Sequence, residues 1–381
     1  MQFDIFKVYA RLVGERQPIP RTLRVVVYRL LDDVPVNCGT EFRFRTRAQL
    51  RRVMFSLDLP AHLGPFPNGQ CCEREWGFLF FMRRMASVNT VLSLMEQFGG
   101  DPGKWSRVIK WLSEYIADKF RCKMEAKGLE FFQTRFGLYS ESIRQKANEK
   151  GAEMNGANSA PLFPQPDDMA VMGFVDGKFT ATCVPGSGPM GLGAGAPRRP
   201  AADMIQQAFY TGWLCRHGIK HLTLDAPDGM TMFCYGPSSI RHNDLTLLHD
   251  SGIDREIGVV EYAQGRLLPM HRLMYGDAIF PWRNHLRSRH NASVADARKV
   301  WKDDCDESLS SARMLVENHY AQANMLFPFM SYEPKLKVLN MNLAALYTVK
   351  VLFRNMHVCM NENLTSQRFN CVPPTLEGYM A

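Results

Sequence analysis

Three acidic residues in the second half of the chain have the residue type and the surroundings of metal ligands. Asp176 interrupts an apolar run, Asp277 ends another, and Glu317 lies within a helical pattern. A carboxylate placed among hydrophobic strand residues costs free energy unless a cation or a hydrogen-bond donor satisfies it. Carboxylate oxygens are the ligands that Mg²⁺ prefers, and two neighbouring divalent ions need several of them. The three acids are therefore candidate ligands of one divalent metal site.

Each acid also has a simpler structural explanation. Asp176 and Asp277 each adjoin a glycine, so either could begin a turn. Glu317 follows Arg313 by one helical turn, a spacing that favours a surface ion pair worth only about 0.3–0.5 kcal/mol. Asp244 either assists at the metal site or caps a helix that begins at Leu245. We favour the assisting role for Asp244.

The order of the acids along the chain favours the metal site. A carboxylate on a first strand, a second at the tip of a later strand and a third on a following helix is the arrangement by which ribonuclease-H-like folds hold two divalent cations. Strand patterns at 171–184, 221–224, 230–235 and 272–275 precede helical patterns at 308–327 and 339–360. We therefore expect an α/β fold with a ribonuclease-H-like mixed sheet and covering helices.

The first 148 residues have a helical pattern. Residues 88–98 and 104–120 both repeat apolar side chains every three or four positions, and a short glycine-rich turn joins them. This pattern is typical of a helix-turn-helix, in which Lys104, Arg107 and Lys110 would contact DNA from the second helix. An αα-hairpin within a helical bundle has the same pattern. The expected organisation is a helical, DNA-binding region at 1–148, a linker at 149–170 and a catalytic domain at 171–381.

Composition narrows the class of protein. The 381 residues include 46 basic and 38 acidic side chains, a net charge of +8 that weakly favours a polyanionic partner. No apolar run reaches the length of a membrane span, so we expect no membrane crossing. The ten cysteines include no C-x-x-C pair, which favours reduced thiols. The G-x-G-x-x-G at 186–191 is followed by glycines and prolines rather than a helix, so a dinucleotide site is not expected there.

Several short motifs give the chain a family likeness between about residues 42 and 379. In that range the chain resembles the DDE superfamily endonucleases of the Harbinger (PIF) transposase group. The likeness rests on nine motifs in order: 174–177 (FVDG), 210–220 (YTG with HGIK), 227–229 (PDG), 235–244 (YGP leading to Arg241 and Asp244), 250–252 (DSG), 275–277 (YGD), 313–317 (Arg313 with Val316 and Glu317), 352–355 (LFRN) and 373–379 (PPTLEGY).

The resemblance implies a divalent-metal-dependent DNA endonuclease or transposase that cleaves phosphodiester bonds by a two-metal DDE mechanism. The acidic roles of the family fall on Asp176, Asp277 and Glu317, with Asp244 as an additional aspartate, and the implied cofactor is Mg²⁺ or Mn²⁺. Lys220, His221 and Arg241 are candidate phosphate contacts, although ordinary surface roles are equally open. DNA is the implied partner, beside an accessory protein of the Myb/SANT-like type. Nuclear residence is expected, with the cytoplasm and homo-oligomerisation left open.

Departures from the family pattern leave alternatives open. Asn243 stands directly before Asp244 where the family commonly has histidine, and Ala278 to Phe280 replace a small residue followed by tyrosine after Asp277. No carboxylate is lost, so activity is allowed. The alternatives are a domesticated, catalytically silent DNA-binding protein of transposase origin, and a ribonuclease-H-like nuclease unrelated to transposition.

Overall fold

A mixed sheet forms the centre of the second half of the chain. The structure, a computed structural model, describes residues 28–165, 169–185, 200–262, 272–290, 296–338 and 340–381. The sheet within these residues contains six strands, in the order β4-β5-β3-β7-β8 with β6 also paired to β5. They are β3 (Val171–Ala181), β4 (Tyr210–Thr211), β5 (Arg216–Asp225), β6 (Thr231–Ser239), β7 (Leu273–Tyr275) and β8 (Leu286–Arg287); a separate pair is β1 (His62–Leu63) with β2 (Cys72–Glu73).

Strand β3 lies inside the sheet and has neighbours of both directions. It pairs with β5 in antiparallel register from Phe174 opposite Asp225 to Ala181 opposite Gly218. On its other edge it runs parallel to β7, with Phe174 level with Tyr275. Strands β5 and β6 are antiparallel, and β7 and β8 are parallel. The apolar run at 171–175 is buried, as an inner strand requires.

Helices precede, separate and follow the strands of this sheet along the chain. The α-helices of the described residues are α1 (Gly39–Phe42), α2 (Arg47–Ser56), α3 (Arg74–Met85), α4 (Val91–Phe98), α5 (Pro102–Phe120), α6 (Ala126–Gln133), α7 (Phe136–Asn155), α8 (Pro200–Ala208), α9 (Asp244–Ser251), α10 (Ile253–Tyr262), α11 (Lys299–Leu326), α12 (Leu343–Met360), α13 (Leu364–Arg368) and α14 (Leu376–Met380). The predicted α/β class with a mixed sheet and helices is confirmed. No helix within the described ranges is long and apolar enough to cross a bilayer.

The helices expected at 88–98 and 104–120 are present as α4 and α5. Local chemistry explains both starts: Thr90 accepts a hydrogen bond from the backbone N–H of Ser93, and Asp101 accepts one from Lys104. Pro102 occupies the first turn of α5, where its missing N–H costs nothing. The caps shift both starts from the expected ones: α4 begins three residues later than residue 88, and α5 begins two residues before residue 104.

The helical first half and the sheet share one hydrophobic core. Buried residues from α2 to α7 belong to the same contiguous cluster as those of β3, β5 and α12. Helix α5 packs against α12, and α7 packs against both α11 and β3. Helix α7 also continues to Asn155, seven residues into the segment expected as a linker from residue 149. Five elements, α5 and α7 on one side and α11, α12 and β3 on the other, therefore pack across the expected domain boundary.

Trp105 on α5 is the largest fully buried side chain of this core. Its ring stacks on Phe80 with centroids 3.9 Å apart and meets Trp76 edge to face, and its indole N–H donates to the carbonyl oxygen of Gly99 over 2.6 Å. Such a residue removes a large apolar area from water and also satisfies a turn carbonyl. Trp105 thus connects the α4–α5 turn to the core.

We expect Trp105→Ala to lower the free energy of unfolding by about 3–5 kcal/mol, because the substitution leaves a large cavity. Chemical denaturation followed by circular dichroism measures the change. Trp213→Ala is the matched control, since the Trp213 side chain is 89% exposed, and its effect should stay within about 0.5 kcal/mol. Equal losses in the two variants would contradict the assigned packing.

Candidate functional site

Asp176 lies in the middle of β3 and is partly buried. Its Oδ1 accepts a hydrogen bond of 2.9 Å from the backbone N–H of Gly177. Burial and the negative charge of Glu317 raise the pKa of Asp176 from 3.8 to about 6, against the opposing charges of Arg313 and Lys178. At neutral pH the carboxylate is ionised in surroundings that disfavour its charge. A bound cation would relieve that cost.

Glu317, on helix α11, acts on this carboxylate through its charge. Arg313 lies one turn earlier and donates from Nη1 to Oε1 of Glu317, so the ion pair considered as the simpler explanation is present. Glu317 nevertheless acts on Asp176, because its charge is the second largest cause of the raised pKa there. We call Asp176 and Glu317 the acidic pair, because the charge of Glu317 acts on Asp176, and Arg313 offsets part of that charge.

Asp277 follows the tip of β7, next to the strand that carries Asp176. Tyr275 is level with Phe174 in the parallel pairing, so the positions two residues further along, Asp277 and Asp176, belong to the same level of the two strands. The Asp277 side chain is exposed, and its Oδ1 accepts a 2.6 Å hydrogen bond from the backbone N–H of Ala278. Asp277 thus begins a turn just beyond the end of β7, the strand that runs parallel to β3.

Asp244 approaches β3 from the opposite side. A β-carbon added to Gly177 would collide with Oδ1 of Asp244, so the carboxylate packs directly on the glycine backbone. Successive side-chain positions of a strand point to opposite faces, and the Gly177 position therefore faces away from the Asp176 side chain. Nζ of Lys220 lies 2.8 Å from the same Oδ1. The structure thus places Asp244 in an ion pair on the Gly177 face of the strand, close enough for its charge to help raise the pKa of Asp176.

The capping role considered for Asp244 is wrong. Helix α9 begins at Asp244 itself, and the cap is Asn243, whose side-chain oxygen accepts a 2.8 Å hydrogen bond from the backbone N–H of Thr246. The departure from the family pattern at position 243 therefore has a local structural use. An asparagine there satisfies a free N–H of the first helical turn.

The chemistry of the acidic pair fits a hard divalent cation. Asp176 and Glu317 offer carboxylate oxygens only, and their charges exceed what Arg313 compensates on Glu317 alone. Among the described residues, however, no three His, Cys, Asp or Glu side chains converge closely enough to hold one ion. The two residues that would hold a metal are Asp176 and Glu317, and the described residues do not bring Asp277 close enough to complete a group of three.

Lys178 belongs to the same face as Asp176 and was not singled out from the sequence. Its Nζ lies 3.8 Å from the ring centroid of Tyr320 on α11. The charges of Asp176 and Glu317 both act on its ammonium group. The period of two in a strand would have identified it, because it stands two residues after Asp176.

The basic residues expected to contact phosphate occupy different environments. Lys220 is paired with Asp244, whereas Arg241 is exposed shortly before α9. His221 is wrong as a phosphate contact: it is 1% exposed and stacks on Tyr347 with centroids 3.5 Å apart. Burial lowers the pKa of His221 to about 3, so its ring is neutral at physiological pH. A neutral interior imidazole cannot attract a backbone phosphate.

The three candidate DNA contacts on α5 also differ from one another. Nζ of Lys104 lies 3.4 Å from the ring centroid of Trp76, so its ammonium group packs on the core. Arg107 donates to Oε1 of Gln70 over 3.3 Å, and Lys110 is exposed. Lys110 is the most accessible of the three to a polyanion, followed by Arg107.

The raised pKa of Asp176 predicts that Asp176→Asn increases the free energy of unfolding, by an amount that depends on pH. The folded-state pKa exceeds the unfolded value. The wild-type Asp176 carboxyl group therefore contributes to the unfolding free energy fully below pH 3.8, and this contribution is lost as the pH rises through about 6. Relative to wild type, we expect the variant to gain up to about 3 kcal/mol in unfolding free energy at pH 8, and almost nothing at pH 4.

Urea denaturation at the two pH values measures this difference. Asp118→Asn on α5 is the control, since that side chain is exposed and its loss should be neutral at both pH values. A gain for Asp176→Asn that is equal at pH 4 and pH 8 would contradict an electrostatic origin.

Comparison with known proteins adds no assignment to this geometry. No family model matches the chain, and neither a curated protein nor a solved structure shows significant similarity to it. A functional assignment therefore depends on the residues and contacts described above.

Proposed function

We propose that this chain is a divalent-metal-dependent DNA endonuclease of the DDE transposase type, with a ribonuclease-H-like catalytic core. The acidic pair of Asp176 and Glu317, next to the strand tip that carries Asp277, is the observation that carries the proposal. Phosphodiester cleavage by bound divalent ions needs acidic oxygens gathered beside a DNA strand, and no covalent enzyme intermediate.

The sheet supports the ribonuclease-H-like part of the proposal. Asp176 lies on the first strand of the sheet, Asp277 follows a later parallel strand beside it, and Glu317 lies on the helix after that strand. This is the order in which such folds assemble their acids. An antiparallel neighbour on one edge of β3 and a parallel neighbour on the other are what bring the strand tip level with Asp176.

Each side chain has a defined task in the proposed reaction. Asp176 and Glu317 would hold Mg²⁺ or Mn²⁺, with Asp277 as the third ligand. The chemistry that the ions supply when bound is activation of a water and stabilisation of the leaving 3′-oxygen. Arg313 balances the charge of Glu317, and Lys178 offers a cation on the same face toward a phosphate. Asp244 stays a predicted supporting residue, acting through Lys220 and the backbone of Gly177.

Helices α4 and α5 are the proposed DNA-binding helix-turn-helix. They are joined by residues 99–101, and α5 exposes Lys110 with Arg107 one turn before it. Lys104 would position α5 through Trp76 rather than contact DNA itself. The accessory Myb/SANT-like partner, homo-oligomerisation and nuclear residence stay predictions.

One observation favours the second candidate, a catalytically silent DNA-binding protein of transposase origin. Arg313 already neutralises Glu317 through an ion pair, and the described residues contain no group of three acids close enough to share one ion. In that case the acidic pair persists as part of the fold, and only the DNA-binding helices retain a function.

Purified full-length protein should nick supercoiled DNA in the presence of Mn²⁺ or Mg²⁺ and stop when the ion is chelated. We expect Asp176→Asn and Glu317→Gln each to lower the nicking rate by at least 100-fold, because each removes a charged oxygen ligand. Asp118→Asn is the matched control and should cut at the wild-type rate. Agarose gels that resolve nicked from supercoiled plasmid provide the measurement.

Metal binding has an independent readout. Mn²⁺ should raise the melting temperature of the wild-type protein and leave that of Asp176→Asn unchanged, since ligands that bind only the folded state stabilise it. DNA binding with neither nicking nor a Mn²⁺ shift would establish the silent alternative. Cutting restricted to the ends of terminal repeats would separate a transposase from a general nuclease.

We expect Lys110→Ala and Arg107→Ala to weaken DNA binding and each to reduce the salt slope of the binding constant by about 1, because each removes one phosphate contact. Fluorescence anisotropy with a labelled duplex at several salt concentrations measures the slope. Lys119→Ala, on the last turn of the same helix and paired with Asp58, should leave it unchanged. An unchanged slope in all three variants would remove α5 from the DNA interface.

A further inference from the structure

A basic cavity of about 240 Å³ lies between the sheet and helices α11 and α12. Residues of β3, β5 and β6 form one side, and residues of α11 and α12 form the other. The residues that line it, all within the described ranges, include four basic side chains and no acidic one: Lys178, Arg216, Lys350 and Arg354. Interior surfaces with an excess of one charge are costly, so this cavity calls for a compensating ligand.

Arg354 is the most deeply buried of these four basic residues. Its side chain is 2% exposed, and Nη1 donates to Oγ1 of Thr231 over 3.2 Å. Nε and Nη2 find no hydrogen-bond partner within the described part of the chain. A guanidinium offers donors in a fixed fork that matches the oxygens of a carboxylate or a phosphate. Two donors of a buried arginine are thus available to an oxyanion.

Two lysines approach the same space. Lys350 is 5% exposed, and its Nζ donates to the side-chain oxygen of Asn324. Lys178 places its Nζ over the ring of Tyr320, 3.8 Å from the centroid. The partner of Lys350 is thus a neutral amide, whereas the charges of Asp176, Asp225 and Glu317 act on Lys178. Both ammonium groups keep donors that an anion could use.

The nearest buried carboxylate does not neutralise these cations directly. Asp225 accepts hydrogen bonds from the hydroxyl groups of Thr223, Thr231 and Tyr320, so neutral donors occupy its oxygens. At the exposed end, Arg216 lies 3.9 Å from Glu333, which satisfies that arginine in part. Carboxylates therefore act on these cations from a distance: Asp225 and Asp228 on Arg354, and Asp176, Asp225 and Glu317 on Lys178.

We propose that this cavity binds a small phosphate-type oxyanion, such as inorganic phosphate or the terminal group of a phosphate monoester. The cations Lys178 and Arg354, the amine of Lys350, whose pKa burial lowers to about 7, and the two free donors of Arg354 favour a multiply charged oxyanion over chloride. The volume is below the roughly 300–1,000 Å³ of pockets for drug-sized ligands, which restricts the occupant to a compact anion. A duplex phosphodiester, flanked by sugars on both sides, does not fit such an interior space.

This site is separate from the proposed nuclease function. Lys350 and Arg354 lie on α12, whereas the metal-binding pair lies on β3 and α11. Only Lys178 faces both. Anion binding would therefore persist in a variant that has lost its metal ligand, and the two proposals can fail independently.

Isothermal titration of the full-length protein with inorganic phosphate, at constant ionic strength set by sodium chloride, tests the site. We expect saturable binding by wild type and by Asp176→Asn. Lys350→Met and Lys178→Met should each raise the dissociation constant for phosphate at least tenfold. Both substitutions keep the side-chain length and remove the charge, and two variants guard against a folding defect in either one.

Lys119→Met is the control, because it removes an equal charge from the exposed surface. It should bind phosphate as wild type does. The proposal is overturned if wild type shows no saturable binding at phosphate concentrations of about 10 mM, or if all three lysine variants lose affinity equally. It is also overturned if Lys350→Met weakens the binding of single-stranded DNA but leaves the binding of phosphate unchanged. The cavity would then be part of a nucleic-acid binding surface.

Discussion

The free-energy cost of an ionised carboxylate inside the sheet is the constraint on which the candidate site depends. Asp176 stands on the inner strand β3 with another acid, Glu317, facing it, and burial together with that charge shifts its pKa to about 6. Arg313 and Lys178 offset the cost in part, one from the helix and one from the strand. In the proposed function, a bound cation would offset this cost in free energy.

A second buried polar cluster connects the helical first half to the sheet. The carboxylate of Asp228, between β5 and β6, accepts hydrogen bonds from the hydroxyl of Tyr139 at 2.6 Å and from Arg135 at 3.3 Å. Asn355 on α12 bonds both the backbone of Thr231 and the hydroxyl of Tyr379. Because α7, the sheet and the C-terminal helices meet here, the proposed DNA-binding helices and the acids belong to one packed body.

Opposite charges alternate along one face of β3. Asp176 belongs to the acidic pair, and Lys178, one full strand period later, belongs to both that pair and the basic cavity. Each site thereby moderates the field of the other, because opposite charges in a poorly solvated interior interact strongly. An anion in the cavity and a cation at the carboxylates would reinforce one another electrostatically. The two-residue period of strand β3 sets this spacing.

The sequence alone was enough to predict the α/β class, the two capped helices α4 and α5, and the order of the acids, because caps and periodicity act over a few residues. Tertiary structure decided the surroundings of single side chains. It placed Asp244 on the Gly177 face of β3, buried His221 against Tyr347, and gathered Lys178, Lys350 and Arg354 around one cavity. These outcomes depend on which face of a strand meets which helix, and that is set by pairing between residues far apart in the chain, such as Phe174 with Asp225.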